Sequence, residues 1–179
     1  MPEQLKFGPI AQALGNLLEE TSPALSRAFL GAASSLAAPF TAGMGMRVDR
    51  LDDTGRSATL PDWWRNRDET GRPHPAAVAA LVELASRSYW ARHLDPASAT
   101  AQMKRLECRW SKPGRGALRA DLSRTDEERE EILLQLRAEG QAVATCALQI
   151  YDRAGHLVGE AEADWELRSR ILLTGAANP

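Results

Sequence analysis

Two cysteines and three histidines in 179 residues leave little room for metal or redox chemistry. Cys108 and Cys146 form neither a C-x-x-C pair nor a zinc-spaced cluster. Each sits in an alternating apolar run, so both are expected to be reduced core residues. His74, His93 and His156 have no ligand spacing, and no metal site is expected. Long apolar runs are missing too: nothing approaches the ~18 residues that span a bilayer. An excess of positive charge is also absent. With 22 Lys and Arg against 24 Asp and Glu, the formal net charge is −2. That balance offers no electrostatic footprint for nucleic acid or an anionic membrane. The N-terminus has Glu3 and a helical period where a signal peptide would have a basic then apolar block, so a cytoplasmic protein is expected. There is no internal repeat or low-complexity segment. A composition 44% hydrophobic and 26% charged is globular, and the length suits one domain with a real core.

Hydrophobic periodicity orders the elements. Phe7, Ile10, Leu14, Leu17 and Leu18 recur at helical spacing. Ser22-Pro23 then reads as the cap and first residue of a second helix ending before Pro39. From Met44 the period falls to 2: Met44, Met46 and Val48 predict a strand, Asp52 to Gly55 a turn, and Ala58 and Leu60 the beginning of a second strand ended by Trp63 and Trp64. A polar loop to Arg72 leads into a helix from Pro75 to about Arg92. After residue 100 the alternation returns and predicts about five antiparallel strands. Leu106, Cys108 and Trp110 form one row and Leu118, Ala120 and Leu122 the next. Residues 124–131 read as a charged loop, and Ile132, Leu134, Leu136 and Ala138 as a strand. Val143 to Tyr151 follows, then the turn Asp152-Arg153-Ala154-Gly155. The last strand buries Ala161, Ala163, Trp165 and Leu167 and exposes Glu160, Glu162, Asp164 and Glu166.

The stretch 66–83 holds the chemistry. Asn66 and His74 lie in the loop, and Glu83 follows His74 by nine residues inside an alanine-rich helix. A carboxylate so placed costs free energy unless it is paired, protonated or used. On a helical wheel Val78, Leu81, Val82, Ala85 and Tyr89 form one apolar face. Ala76, Ala79, Ala80, Glu83, Arg87 and Trp90 form the opposite one, small enough for another backbone to come close. That places Glu83 toward a neighbouring helix or a second subunit.

The pattern Asn66, Gly71, His74-Pro75-Ala76, Ala77 to Ala80, Leu81, Val82, Glu83 resembles the phenylacetate-degradation type thioesterases of the hotdog superfamily. It is also similar to a sister hotdog family known only as a domain of unknown function, which Pro39-Phe40 and Arg65-Asn66-Arg67 resemble as well. The resemblance covers roughly residues 39 to 168. It implies an α+β hotdog fold, an antiparallel sheet wrapped around a long central helix. Residues 39–173 would form that domain and residues 1–38 an N-terminal helical extension. It further implies a homodimer, or a dimer of dimers, because this family builds each site between two central helices. The substrate would be a small-molecule acyl thioester carried on coenzyme A or an acyl carrier, with no separate cofactor and no nucleic-acid or membrane partner.

Site roles follow from the same resemblance. Glu83 would act as base for water or as nucleophile, and the Ala76 N–H would hold the oxyanion at the helix start. His74 would orient the loop or touch the thioester oxygen, and Asn66 would position water or polarise the carbonyl. Trp63 and Trp64 would line an acyl or pantetheine channel. Arg65, Arg67 and Arg72 would meet coenzyme A phosphates, and Arg87 completes the substrate-binding set. The chain departs from the family in having Pro75 and Ala76 where two glycines stand: Pro75 has no N–H and Ala76 adds a methyl group.

Each residue also has a plainer reading. Glu83 and Arg87 can form an i,i+4 ion pair. His74 and Asn66 can serve the loop's own backbone. The tryptophans can close a core edge, and the arginines can be solvated. A non-catalytic hotdog protein that binds an acyl or other apolar ligand is therefore the rival, with a structural dimer behind it. A dehydratase fits less well, for it needs a Pro-Gly-rich helix start and a longer His-to-acid interval.

Overall fold

Rows of alternating apolar residues need a second apolar surface laid over them, and a helix provides it here. The computed structural model describes residues 43–51 and 55–170. The helices expected before residue 40 and most of the turn expected at 52–55 lie outside the described residues. Numbered along the described residues, the elements are β1 Arg47–Leu51, β2 Gly55–Leu60, a 3-10 turn Trp64–Asn66, α1 Pro75–His93, β3 Ala99–Trp110, β4 Leu118–Ser123, α2 Asp126–Glu139, β5 Gln141–Tyr151 and β6 Leu157–Ser169. The strands form one antiparallel sheet in the order β1-β2-β4-β5-β6-β3.

One sheet face is apolar. Ala58, Leu60, Leu118, Ala120 and Leu122 are buried on β2 and β4, and Ala161, Ala163, Trp165 and Leu167 on β6, as their alternation predicts. Helix α1 packs on this face, chiefly over β2 and β4. Its face of Val78, Leu81, Val82, Ala85 and Tyr89 is wholly buried. Each such large side chain contributes about 1.5–3 kcal/mol by leaving water. The helix starts at Pro75, which needs no N–H partner, and ends where the Leu94 N–H donates to the Trp90 carbonyl.

Four expectations are corrected. Residues 126–139 are a helix, not a charged loop followed by a strand. Thr125 and Glu128 make a reciprocal capping box, and Gly140 closes the other end in the left-handed region at φ 74°. Leu136 is buried and Ile132 and Leu133 half-buried, a helical spacing, whereas Leu134 of the supposed strand row is exposed. Thr125→Ala should therefore cost about 0.5–2 kcal/mol, read as a lower urea midpoint with an unchanged slope. Second, Trp90 and Ala80, placed on the face kept for a neighbouring helix or a second subunit, are already buried within the protomer. Arg124, anchored on the Thr145 carbonyl, lies 5.7 Å over the Trp90 ring, and Tyr89 packs edge-on against it. Third, β2 ends at Leu60: Pro61 cannot continue the ladder, and Trp63 and Trp64 belong to the loop. Fourth, Cys108 is only half-buried, while Cys146 is in the core, where burial pushes its thiol up. Among the described residues no helix is long and apolar enough to cross a membrane, which says nothing of a β-barrel.

Candidate active site

Residues 61–74 form a loop tied to itself. Asn66 is 2% exposed, and its amide nitrogen donates to the Met44 and Pro61 carbonyls, both at 2.9 Å. Its backbone carbonyl accepts from the His74 N–H at 2.8 Å. Arg67 binds Asp62 through two nitrogens at 2.8 Å. The Asp68 carboxylate accepts from the Thr70 hydroxyl and from the Thr70 and Arg72 N–H groups, which hold it below the usual carboxylate range. Trp63 lies across Gly45, whose φ of +65° and lack of a Cβ leave room for the indole. Trp64 is 80% exposed, with the Arg65 guanidinium 5.6 Å from its ring centre.

Asn66 is thus engaged differently from the expected role. A primary amide has two donors, and both are taken by backbone carbonyls, so none remains to polarise a thioester. Its Oδ1 is buried with no partner among the described residues and can only accept.

The helix start is engaged as well. His74 caps α1: its Nδ1 accepts from the Ala76 N–H at 3.0 Å, and its carbonyl accepts from the Ala77 and Val78 N–H groups. The donor expected to meet an oxyanion therefore holds the imidazole. Both His74 and Ala76 are exposed.

Further along the helix, Ala76, Ala79, Glu83 and Arg87 form the stripe that the sheet does not cover. The Glu83 side chain is 29% exposed, and its Oε1 is paired with Arg87 Nη2. Ala76 and Glu83 are seven residues apart, so they share one stripe about 10 Å apart along the axis. One protomer's helix cannot bring both onto a single carbonyl.

Of the basic loop residues, Arg67 is bound to Asp62 and Arg65 donates to the Gly43 carbonyl. The Arg72 guanidinium acts through its charge on the Asp68 carboxylate. The fold also brings the β3–β4 connection (residues 111–117) and the β5–β6 turn (residues 152–156) to this end of the sheet, because Leu60 pairs with Leu118 and Arg119 with Tyr151. No spacing in the chain signals that proximity. Among the described residues no group of three His, Cys, Asp or Glu is placed to hold a metal ion.

A family model described as a domain of unknown function, DUF4442, matches residues 26–167. No curated protein matches the chain. Among solved structures, a Pseudomonas aeruginosa protein described as of unknown function and a probable thioesterase is similar at a TM-score of 0.72 and 22% identity, over 78% of this chain and 93% of that one. A Haemophilus influenzae thioesterase is similar at 0.62 and 14%, over 80% and 90%. A mutant thioesterase from Pseudomonas aeruginosa is similar at 0.61 and 14%, over 76% and 90%. Identities this low establish a shared fold, the hotdog fold.

Proposed function

This chain belongs to the family described as a domain of unknown function, DUF4442, and from that premise and its hotdog fold we propose that it hydrolyses a small-molecule acyl thioester. The observation that carries this reading is the open stripe of α1. The stripe that the sheet does not cover holds one partly exposed carboxylate, Glu83, in line with the Ala76 N–H at the positive end of the helix.

The 10 Å between them is met by two antiparallel copies of the helix. The Ala76 N–H of one protomer then stands beside Glu83 of the partner subunit, and the small side chains of Ala76 and Ala79 let the helices approach. In the reaction Glu83 takes a proton from water, and the resulting hydroxide adds to the thioester carbon. The oxyanion replaces the imidazole on the Ala76 N–H, where the helix dipole stabilises it. Collapse breaks the C–S bond, and the thiol leaves with the proton.

His74 is then a positioning residue. Its exposed ring holds the Ala76 N–H until substrate displaces it. His74→Ala should cost about 0.5–2 kcal/mol of stability as a lost cap and lower kcat far less than loss of Glu83. Urea midpoints and rates of thiol release measure the two effects. A rate loss as large as that of the Glu83 variant would make the imidazole a catalytic group.

Two observations favour the second reading, a non-catalytic protein that binds an acyl or other apolar ligand. Glu83 already has a counter-ion in Arg87, and the Ala76 N–H already has an acceptor in His74. Ligand that co-purifies without turnover supports that reading. Thiol release that depends on Glu83 supports hydrolysis.

A further inference from the structure

Among the described residues the cations of the sheet surface are paired. Arg105 meets Glu107, Glu162 and Asp164; Lys104 and Arg168 meet Glu166; Arg119 meets Asp121. The end of the sheet beside the helix start is different. Its three connections, 61–74, 111–117 and 152–156, hold six cations (Arg65, Arg67, Arg72, Lys112, Arg115, Arg153) and four carboxylates (Asp62, Asp68, Glu69, Asp152) in a chain of net charge −2.

Three of those carboxylates are already engaged. Asp62 is held by Arg67, Asp68 by its own turn, and Asp152 by the Ala154 and His156 N–H groups at 2.9 and 3.0 Å. Those bonds, the one from His156 first, hold the Asp152 carboxyl below its usual range, so its charge faces its own turn. Lys112, Arg115 and Arg153 are left with no acidic partner among the described residues, whereas Arg72 acts on Asp68.

The three are fixed near one another by backbone. The Ser111 and Lys112 N–H groups both donate to the Val158 carbonyl, at 3.0 and 3.2 Å, which ties the β3–β4 connection to β6 beside the 152–156 turn. Gly116, at φ 74°, sits between the two remaining connections. A Cβ there would stand 3.5 Å from Arg153 Cβ and 3.9 Å from Asp62 Oδ2. Asp62 follows Pro61, whose carbonyl holds Asn66, and Asn66 holds the His74 N–H. The cationic corner is thus joined to the candidate active site through a few consecutive contacts.

We propose that Lys112, Arg115 and Arg153 form a subsite for the phosphate groups of a nucleotide-borne thioester. This rests on the thioesterase reading and deepens it by naming the carrier as coenzyme A rather than an acyl carrier protein. Two guanidiniums and an ammonium on neighbouring connections suit a pyrophosphate and a ribose phosphate, because each supplies N–H donors and positive charge. An acyl carrier protein presents a single phosphodiester on its pantetheine arm and has no pyrophosphate or ribose phosphate to offer three cations.

The test is calorimetric titration of the full chain with free coenzyme A, pantetheine and inorganic pyrophosphate. Wild type and the Lys112→Ala/Arg115→Ala/Arg153→Ala variant are compared, with Arg168→Ala as the control. Coenzyme A should bind far more tightly than pantetheine, and the triple variant should weaken it by about tenfold or more, with loss of its salt dependence. Pyrophosphate should compete in wild type alone, and Arg168→Ala should change nothing. A charge-keeping Arg153→Lys variant should retain most of the affinity. Equal binding of coenzyme A by wild type and the triple variant overturns the subsite. So does a variant that loses binding to an acyl carrier protein but keeps coenzyme A. Binding lost as expected in a chain that releases no thiol sinks the hydrolase reading alone. Acyl-CoA hydrolysis with an unchanged KM in the triple variant sinks the subsite alone.

Discussion

Glu83→Gln is expected to lower kcat for thioester hydrolysis by about 100- to 10,000-fold, the range of a lost general base. The fold should remain. Glutamine keeps the volume of the side chain, and what the folded chain loses is a surface i,i+4 ion pair with Arg87, worth about 0.3–0.5 kcal/mol. Urea midpoints of wild type and variant should therefore nearly coincide while rates of thiol release diverge. Arg87→Ala separates the alternatives. It breaks the same pair but leaves the carboxylate, so its stability change should match that of Glu83→Gln and its rate should not collapse. If the two variants resemble each other in rate as well, the pair is structural and Glu83 is no base.

Asn66→Ala should be the most destabilising change in the loop, by about 2–4 kcal/mol. The side chain is 2% exposed and its amide holds both the Met44 and the Pro61 carbonyls. Truncation leaves two carbonyls without a donor, each costing about 1–3 kcal/mol in part. It also frees the segment before β1 from the loop that positions His74. Chemical denaturation measures the loss. A midpoint within error of wild type would mean that these bonds carry little. Asn66→Asp is the sharper version, since a carboxylate would face two carbonyl oxygens.

The sequence made the strands and α1 legible because their periods are clean. Ala161, Ala163, Trp165 and Leu167 alternate without exception, and α1 has Pro75 at its start and a full apolar face. Helix α2 was hidden because Ile132, Leu134, Leu136 and Ala138 alternate by chance over a few residues, while its own signal lay upstream in the pair Thr125 and Glu128. A short window cannot distinguish two periods, whereas a capping box can. What covers Trp90 was not legible, because a wheel shows only the helix's own faces and not Arg124 of the same chain approaching its ring. At the site, the residues were legible and most of their partners were not. The stretch itself picked out Asn66, His74 and Glu83, and the family resemblance added Ala76. Only the fold shows that Asn66 serves two carbonyls and that His74 holds the Ala76 N–H, whereas the i,i+4 spacing already offered the pair of Glu83 with Arg87. Lys112, Arg115 and Arg153 were illegible for a different reason: strand order alone brings their connections beside the loop at 61–74.

Release of free thiol from a panel of acyl-CoA thioesters of differing chain length, measured at catalytic amounts of the full chain, tests the hydrolase reading most directly. Turnover proportional to protein concentration, and lost in Glu83→Gln, is the predicted result. A panel with no release above the uncatalysed rate, from a chain that still binds the thioesters, contradicts it and leaves a binding protein built on a thioesterase fold.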